Sequence, residues 1–482
     1  MTSAVDTRQR TAYRPLQPVI DAPAREPAPP DANGATVTPA PSSPDQNPAQ
    51  ILPNAAEAVA DYVLDELEGS GPPPAAEPAR VGLGFILIYM FSYFGLNLVM
   101  LMPALFSLAY KVQLIDPDNR NVSLGLVLGL GGIIGLVGGP VAGVLSDATR
   151  LRWGRRRPWL VGGVVISALG GLVLAAAPNV PVMILGWAVA QLAVAVISAG
   201  FNPILAEFVP TEQRGRLGAL GGLSAAFAGV GASLLGSFLT GNIFFLFLLP
   251  PAVFALGVLI LVLLLKERAA PADTLVPSIA DVFKGFYFDP RKHRDFAFVF
   301  LGKFLLQFGF TFFSTYQLYF LLDRLGYTPE KAGRNLAVAG GVSLLALMVF
   351  AVLGGFLSDK LRRRKPFIYG AALLIAGGLV WVSLAPDLNS FIIGGALLSA
   401  GTGAFTSVDL AMATDLLPEK DKAGKYMAIY YMSSGIPGII APIVAPVVLA
   451  IGGGDNYSLL FIFGGMLGLG TIITTSRIRG VR

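Results

Sequence analysis

Gly143-Val-Leu-Ser-Asp147 ends one long apolar run of the chain, and Gly154-Arg-Arg-Arg-Pro158 begins the next. The same two-part pattern returns as Gly355-Phe-Leu-Ser-Asp359 and Arg362-Arg-Arg-Lys-Pro366, with the two aspartates 212 residues apart. In both places a basic cluster separates two stretches that are almost free of charge. The repeat indicates that the chain consists of two related halves.

A second repeated motif supports the same division. Ala206-Glu-Phe-Val-Pro210 is echoed by Thr414-Asp-Leu-Leu-Pro418 at an offset of 208 residues. Each copy follows the fourth apolar run of its half. Parallel halves related by an axis along the membrane normal are a known plan of membrane proteins.

Apolar runs of membrane length continue from residue 81 to the C-terminus. Of the 482 residues, 54% are hydrophobic and 13% are charged, whereas soluble domains carry about 25% charged residues. Backbone polar groups in lipid must be satisfied internally, so runs of this length form helices. We therefore predict an all-α membrane protein with 12 transmembrane helices in two six-helix, pseudo-symmetric halves. The predicted spans are 81–109, 122–146, 158–177, 181–208, 216–240, 242–266, 295–323, 332–358, 366–385, 388–415, 424–449 and 457–476.

The chain divides into four segments. Residues 1–79 hold 15 of the 35 prolines, and we expect a disordered cytoplasmic tail with a short helix over 55–68. The N-terminal half then covers 80–266 and the C-terminal half covers 295–482. The polar stretch 267–294 between them is predicted to be a cytoplasmic linker.

Basic residues fix the expected orientation. They concentrate in the loops on one side of the predicted membrane. Because Lys and Arg accumulate in cytoplasmic loops, both termini are predicted to be cytoplasmic. The expected location is the plasma membrane. The opposite side keeps only Lys111, Arg120, Arg324, Lys331 and Arg334.

Composition excludes several function classes. There are no cysteines and a single histidine, His293, so neither a metal site nor a cofactor is expected. No phosphate-binding Gly-x-x-x-x-Gly-Lys-Ser/Thr stretch occurs, and one loop histidine cannot build a nucleophile–His–acid set. We therefore expect that the protein is not an enzyme. The basic loops reflect membrane topology, so no nucleic-acid partner is expected either.

The repeated motifs place carboxylates beside guanidinium clusters at the membrane edge. An ionised carboxylate is costly there unless it is paired, and arginine can pair with it in a two-bond fork. We predict one cluster in each half. The first is formed by Asp147, Arg155, Arg156, Arg157 and Glu207, and the second by Asp359, Arg362, Arg363, Arg364 and Asp415.

These motifs resemble the major facilitator superfamily from residue 80 onward. The long spacing from Asp147 to Gly154, the Gly139-Pro140 pair and Pro103 are similar to the sucrose-transporter and glycoside–pentoside–hexuronide cation symporter groups. The resemblance implies that both charge clusters act as conformational latches. It also implies that the first, fourth, seventh and tenth helices line a central cavity.

Those four helices carry polar stripes within otherwise apolar sequence. On the seventh, intervals of three and four residues put the polar side chains on one face. A polar stripe on a spanning helix faces protein or water, although structural hydrogen bonds between helices would give the same pattern. The candidate substrate contacts are Tyr93, Asn97, Gln191, Asn202, Gln307, Thr311, Tyr316 and Gln317.

Lys303 and Asp409 are the charged residues within these stripes. Each lies eight or nine residues from the predicted cytoplasmic end of its helix, which is roughly 12–14 Å of depth. Equal depth and opposite sign predict a salt bridge that gates the cavity or carries a coupling proton. Snorkelling of Lys303, or a static structural pair, would leave no such role.

The expected function is secondary active transport of a small polar solute, preferentially a sugar, by alternating access. We expect the coupling ion to be H⁺ or Na⁺. We also expect the protein to be a monomer in a lipid bilayer. The first helix carries no carboxylate, so a uniporter stays open. A drug or metabolite efflux antiporter is the first alternative, although the fifth helix lacks the proline typical of antiporters in Gly229-Val-Gly-Ala-Ser-Leu-Leu-Gly236. A non-transporting membrane sensor of the same fold is the second.

Overall fold

A computed structural model describes residues 78, 80–265, 286–419, 422–452 and 454–480. The predicted tail 1–79 with its helix 55–68 lies outside the described residues, except for residue 78. Of the predicted linker 267–294, only residues 286–294 are described.

The described chain contains 12 helices long and apolar enough to cross a membrane, which confirms the predicted fold class. Most ends agree with the predicted spans within three residues. The helices are α1 (Leu83–Ile115), α2 (Arg120–Ala148), α3 (Arg157–Ala176), α4 (Val180–Phe208), α5 (Thr211–Phe238), α6 (Ile243–Leu264), α7 (Arg294–Asp323), α8 (Pro329–Leu361), α9 (Lys365–Ser383), α10 (Leu388–Asp415), α11 (Ala423–Leu449) and α12 (Tyr457–Arg477).

Two helices differ from the sequence prediction. The first continues past the expected end at residue 109, and it widens into a π turn over Pro103–Ser107. Proline has no N–H to donate, and a wider turn accommodates its ring inside a continuous helix. The fifth helix begins five residues early, at Thr211, because the polar turn after Pro210 is helical outside the apolar span. Glu212 in that first turn suits the positive end of the helix dipole.

The two halves pack in the same way. In the N-terminal half α2 and α3 both pack on α4, and α1 packs on α5 and α6. In the C-terminal half α8 and α9 both pack on α10, and α7 packs on α12. The repeat that was read from the motifs is therefore also a repeat of helix packing.

Small residues permit the closest helix crossings. A Cβ added at Gly309 of α7 would lie 2.6 Å from the Gly464 carbonyl oxygen of α12. A Cβ added at Gly378 of α9 would lie 2.7 Å from the Gly394 carbonyl oxygen of α10. Helices in membranes associate through such backbone approach, because lipid supplies no hydrophobic driving force between them.

The two ends of the bundle differ in how the halves meet. The basic end, as we name it, carries the α2–α3 and α8–α9 loops, and the opposite end carries the α1–α2 and α11–α12 loops. Along α2, a Cβ on Gly125 near the opposite end would lie 2.2 Å from the Pro442 carbonyl oxygen of α11. On Gly132 the nearest atom, from Ile439, is already 3.3 Å away. On Gly143, at the basic end, nothing lies within 4 Å.

Helices α5 and α8 show the same gradient across the halves. A Cβ on Gly333 near the opposite end would lie 2.6 Å from Ser237, and one on Gly340 would lie 3.5 Å from Val230. On Gly218, at the basic end, nothing lies within 4 Å. The halves therefore touch at the opposite end and diverge toward the basic end.

Replacement of Gly309 by leucine should destabilise the C-terminal half. The added side chain would meet the α12 backbone, which cannot rotate away, and overpacking of this kind costs about 1–3 kcal/mol. Gly370→Leu is the matched control, because a Cβ there meets nothing within 4 Å. The melting temperature in detergent is expected to fall for Gly309→Leu and to stay at the parent value for Gly370→Leu. Equal melting temperatures would show that α7 and α12 do not approach so closely.

Candidate functional site

Lys303 and Asp409 form an ion pair inside the C-terminal half, as the sequence predicts. The Lys303 Nζ of α7 lies 3.4 Å from the Asp409 Oδ2 of α10. The Asp409 side chain is 1% exposed and that of Lys303 is 13% exposed. Charges removed from water in this way need their partners, so loss of either member would leave a buried uncompensated charge.

Helix α11 completes the surroundings of this pair. The Tyr430 hydroxyl donates to the Asp409 Oδ2 at 2.5 Å, and the Lys303 Nζ lies 3.5 Å from the centroid of the Tyr430 ring. The Tyr431 ring is 5.7 Å from the same Nζ and is 58% exposed. Tyrosine thus stabilises the ammonium through its ring and the carboxylate through its hydroxyl.

One atom of the site lacks a partner. The Asp409 Oδ1 is buried and makes no hydrogen bond to any residue that the structure describes. An unsatisfied buried carboxylate oxygen is costly, and a proton or a donor from a bound molecule would remove that cost. The sequence indicated the ion pair, but it gave no sign of the tyrosine or of the unpartnered oxygen.

The polar stripe of α7 extends from this pair toward the opposite end. Lys303, Gln307, Ser314 and Gln317 share one helix face and are each partly exposed. Thr311 lies on the same face, but it is buried and its hydroxyl donates to the Gln307 carbonyl of its own helix. The amides of Gln307 and Gln317 are therefore the groups that α7 offers to a polar solute.

The candidates in the N-terminal half occupy different surroundings. Tyr93 of α1 is partly exposed and stacks on Phe201, with ring centroids 5.6 Å apart. Asn97 donates to the Tyr93 carbonyl at 2.8 Å, which leaves its amide oxygen for another donor. Gln191 of α4 packs against α2, and Asn202 is exposed. Tyr93 and Asn97 are thus adjacent on α1, and no side-chain hydrogen bond between these four residues is found in the described structure.

Tyr316 was predicted to contact the substrate, but its side chain does not lie on the polar stripe of α7. The side chain is fully buried, and its hydroxyl donates to the carbonyls of Asn121 at 3.2 Å and Pro442 at 3.3 Å. Position 316 is one residue before Gln317, so it points away from the polar stripe by helical geometry. Tyr316 is therefore a contact between the two halves rather than a wall of the cavity.

The first predicted charge cluster is assembled at the basic end. Arg156, 3% exposed, lies 2.9 Å from Asp147 and 2.5 Å from Glu207. It also donates to the Ser146 Oγ at 2.7 Å. Arg155 pairs with Glu207 from the more exposed side. One buried guanidinium thus joins the ends of α2 and α4 to the start of α3.

The second cluster is simpler than predicted. Arg364 lies 2.7 Å from Asp415 and 3.6 Å from Asp359. Arg362 and Arg363 were predicted to share this role, but both are exposed, and Arg362 adopts the left-handed conformation that ends α8. Arg364, directly before Lys365-Pro366 at the start of α9, is the arginine whose side chain contacts the carboxylates.

Arg157 also departs from its predicted role. Its guanidinium donates to the Leu265 carbonyl just beyond the end of α6. In the second half, Lys365 donates to the Ile478 carbonyl just beyond the end of α12 at 2.6 Å. A cation at the free carbonyls of a helix terminus is favourable. The basic residue before each proline therefore caps a helix, and the preceding arginine, Arg156 or Arg364, pairs with the carboxylates of its cluster.

A charged network that the sequence analysis missed joins the halves at the opposite end. Arg120 of α2 lies 2.6 Å from Asp323 of α7 and 3.4 Å from Asp455 in the α11–α12 loop. The Tyr457 hydroxyl donates to Asp323 at 2.6 Å, and the Asn121 amide donates to Asp455 at 2.6 Å. These residues stand at helix ends in unrelated sequence contexts, so no motif marked them.

Comparison with known proteins assigns the family. A model of the Major Facilitator Superfamily matches residues 83–385 and 299–479. The chain belongs to the Major Facilitator Superfamily, as its repeated loops predict. It is accordingly a multi-pass membrane protein.

Similarity to individual proteins is more limited. The Inner membrane transport protein YajR of Escherichia coli (strain K12) is 34% identical over 129 residues, which are 27% of this chain and 28% of that protein. Quinidine resistance protein 3 of Saccharomyces cerevisiae is 36% identical over 110 residues, which are 23% of this chain and 15% of that protein. The matched stretches thus span less than a third of either relative.

A solved structure shares the fold over most of the chain. The crystal structure of a D-xylose-proton symporter aligns with a TM-score of 0.59 and 17% identity. The alignment covers 82% of this chain and 97% of the symporter. At this identity the likeness shows the fold alone.

Arg156→Gln should weaken the first charge cluster more than any other single arginine replacement in the two loops. It would leave Glu207 and Asp147 without their buried partner, and we expect a loss of about 2 kcal/mol, reduced because both carboxylates are partly exposed. The measurement is the melting temperature of the purified protein. Arg363→Gln, on the exposed side of the equivalent loop, is the control and should melt like the parent. If both variants melted alike, Arg156 would not join the three helices.

Proposed function

We propose that the protein is a secondary transporter that moves a small polar solute across the membrane by alternating access. The observation that supports this most strongly is the one-sided contact between the halves, which touch at the opposite end and diverge at the basic end. Two pseudo-symmetric bundles of this kind can rock about a site between them. We place the basic end in the cytoplasm, because its loops carry the excess of Lys and Arg.

The solute that we favour is a sugar. The α7 amides of Gln307 and Gln317, together with Tyr93 and Asn97 of α1, offer hydrogen bonds beside an aromatic ring. Binding sites for small molecules combine apolar walls with a few placed polar groups. The motif resemblance to sucrose transporters and cation symporters points the same way, and a D-xylose-proton symporter has this fold.

Proton coupling is assigned to Asp409. The unpartnered Oδ1 accepts the proton, which gives a neutral carboxyl, and Lys303 keeps its charge against the Tyr430 ring. Protonation would therefore weaken the link between α7 and α10, and deprotonation would restore it. The pair can change its strength without either side chain leaving the site. We propose that the protein works as a monomer and carries out transport without chemical change of the solute.

Efflux is the second candidate, and one comparison favours it. Quinidine resistance protein 3 is among the relatives, with 36% identity over 110 residues. Against it, α5 contains no proline, since Thr211–Phe238 has none. An uptake assay and an export assay separate the two functions directly.

The test is an uptake panel in proteoliposomes that contain the purified protein. Radiolabelled monosaccharides and disaccharides are offered with and without an inward proton gradient. Uptake of at least one sugar, accelerated by the gradient, is the expected result. Uptake of none, together with export of a cationic dye, would contradict sugar symport and support efflux.

Asp409→Asn should abolish acceleration by the proton gradient, because asparagine has the shape of the carboxyl group and cannot take up a proton. Exchange of solute without a gradient should persist. Asp387→Asn is the matched control, since Asp387 caps α10 outside the membrane span and asparagine caps a helix as well. If the Asp409→Asn protein still responded to the gradient as the parent does, Asp409 would not carry the proton.

A further inference from the structure

The α2–α3 and α8–α9 loops, which carry the two charge clusters, differ in length. The ion pairs of the clusters do not explain this difference. The offset between the halves is 212 residues at Asp147 and Asp359, and 208 at Arg156 and Arg364. The α2–α3 loop is therefore four residues longer than the α8–α9 loop. Because Arg364 reaches both of its carboxylates across the shorter loop, the extra residues are not needed for ion pairing.

The extra residues form a defined turn. The Gly154 N–H donates to the Leu151 carbonyl at 3.0 Å, and Gly154 has the positive φ of 108° that glycine accepts without strain. Thr149 fastens the base of the loop, since its hydroxyl donates to the Leu145 carbonyl at 2.7 Å and accepts from the Trp159 Nε1 at 2.8 Å. The turn thus projects Leu151, Arg152 and Trp153 from a fixed base.

These projecting side chains are exposed although two of them are apolar. Leu151 is 58% exposed and Trp153 is 60% exposed. Arg152 stands between them and is also exposed. Arg156, only three residues after Trp153, is by contrast 3% exposed within the latch. The turn is therefore a surface feature beside the latch, and its composition is aromatic, aliphatic and basic.

The depth of the turn is set by the helices that it joins. α2 has 29 residues, which is about 44 Å of helix, close to the full bilayer thickness of about 40–45 Å with its headgroups. A helix of this length that spans a bilayer ends at the level of the headgroups, and we infer this depth for the turn between α2 and α3. At this depth tryptophan and leucine face the acyl boundary, and arginine faces phosphate.

We propose that the turn Leu151–Gly154 is a binding site for anionic phospholipid headgroups. Trp153 and Leu151 insert at the boundary between headgroups and acyl chains, and Arg152 binds the phosphate. The charge complementarity and the depth favour a lipid over a protein partner, because both apolar side chains lie at the level of the membrane. The site anchors the loop that carries the first latch, and the second latch has no equivalent. Only the choice of leaflet rests on the proposed orientation.

Tryptophan fluorescence tests the site directly. The chain has four tryptophans, and the difference between the parent and Trp153→Phe isolates the signal of Trp153 while Trp159 keeps its hydrogen bond to Thr149. The protein is reconstituted in phosphatidylcholine vesicles that contain either brominated phosphatidylglycerol or brominated phosphatidylcholine at the same mole fraction. We expect quenching by the brominated anionic lipid to be about two-fold stronger. Arg152→Gln should remove that preference, and Arg363→Gln should leave it intact.

Two results would overturn the proposal. One is equal quenching by both brominated lipids, which would mean contact with the bilayer without recognition of the headgroup. The other is quenching by iodide from water and by neither lipid, which would place the turn in the cytosol.

Discussion

Within a bilayer, an ionised side chain is costly unless it has a partner, and the pairing of opposite charges accounts for much of the arrangement of this protein. Three groups of paired charges lie at three levels of the described bundle. Arg156 and Arg364 collect carboxylates at the basic end, Lys303 and Asp409 meet in the interior, and Arg120 holds two aspartates at the opposite end. Each level ties together helices that would otherwise be free to move apart.

The ion pairs at the three levels connect different helices. As a result, the two ends of the bundle differ in whether ion pairs join the halves. The two charge clusters of the basic end each stay within one half, and the Lys303–Asp409 pair stays within the C-terminal half. Arg120, in contrast, crosses from the N-terminal half to Asp323 and Asp455 of the other. The glycine contacts agree, since α2 meets α11 backbone to backbone at Gly125 and is clear of it at Gly143. Among the described residues, the ion pairs found between the two halves are those of Arg120, at the opposite end.

The sequence predicted what depends on composition and repetition. Helix positions followed from apolar length, and the Lys303–Asp409 pair followed from equal depth and opposite sign. The sequence did not predict contacts between residues that are far apart in the chain and meet only when their helices pack. Tyr316 is next to the polar stripe in sequence, but its side chain points toward the contact between the halves. Arg157 belongs to the arginine run, but its side chain binds at the end of α6. Arg120 gave no signal, because its partners are 203 and 335 residues away.

The central claim is that the two ends open and close in opposition, and distances between spin labels test it most directly. The absence of native cysteines allows labels to be placed at chosen pairs. One pair, Gly143→Cys and Gly424→Cys, lies at the basic end of α2 and α11, where a side chain has room. The other pair, Asp118→Cys and Ile451→Cys, lies on exposed loops at the opposite end. When Asp323→Asn weakens the contact that Arg120 makes between the halves, the opposite-end distance is expected to grow and the basic-end distance to shrink. Two distances that stay fixed, or that change in the same direction, would contradict it.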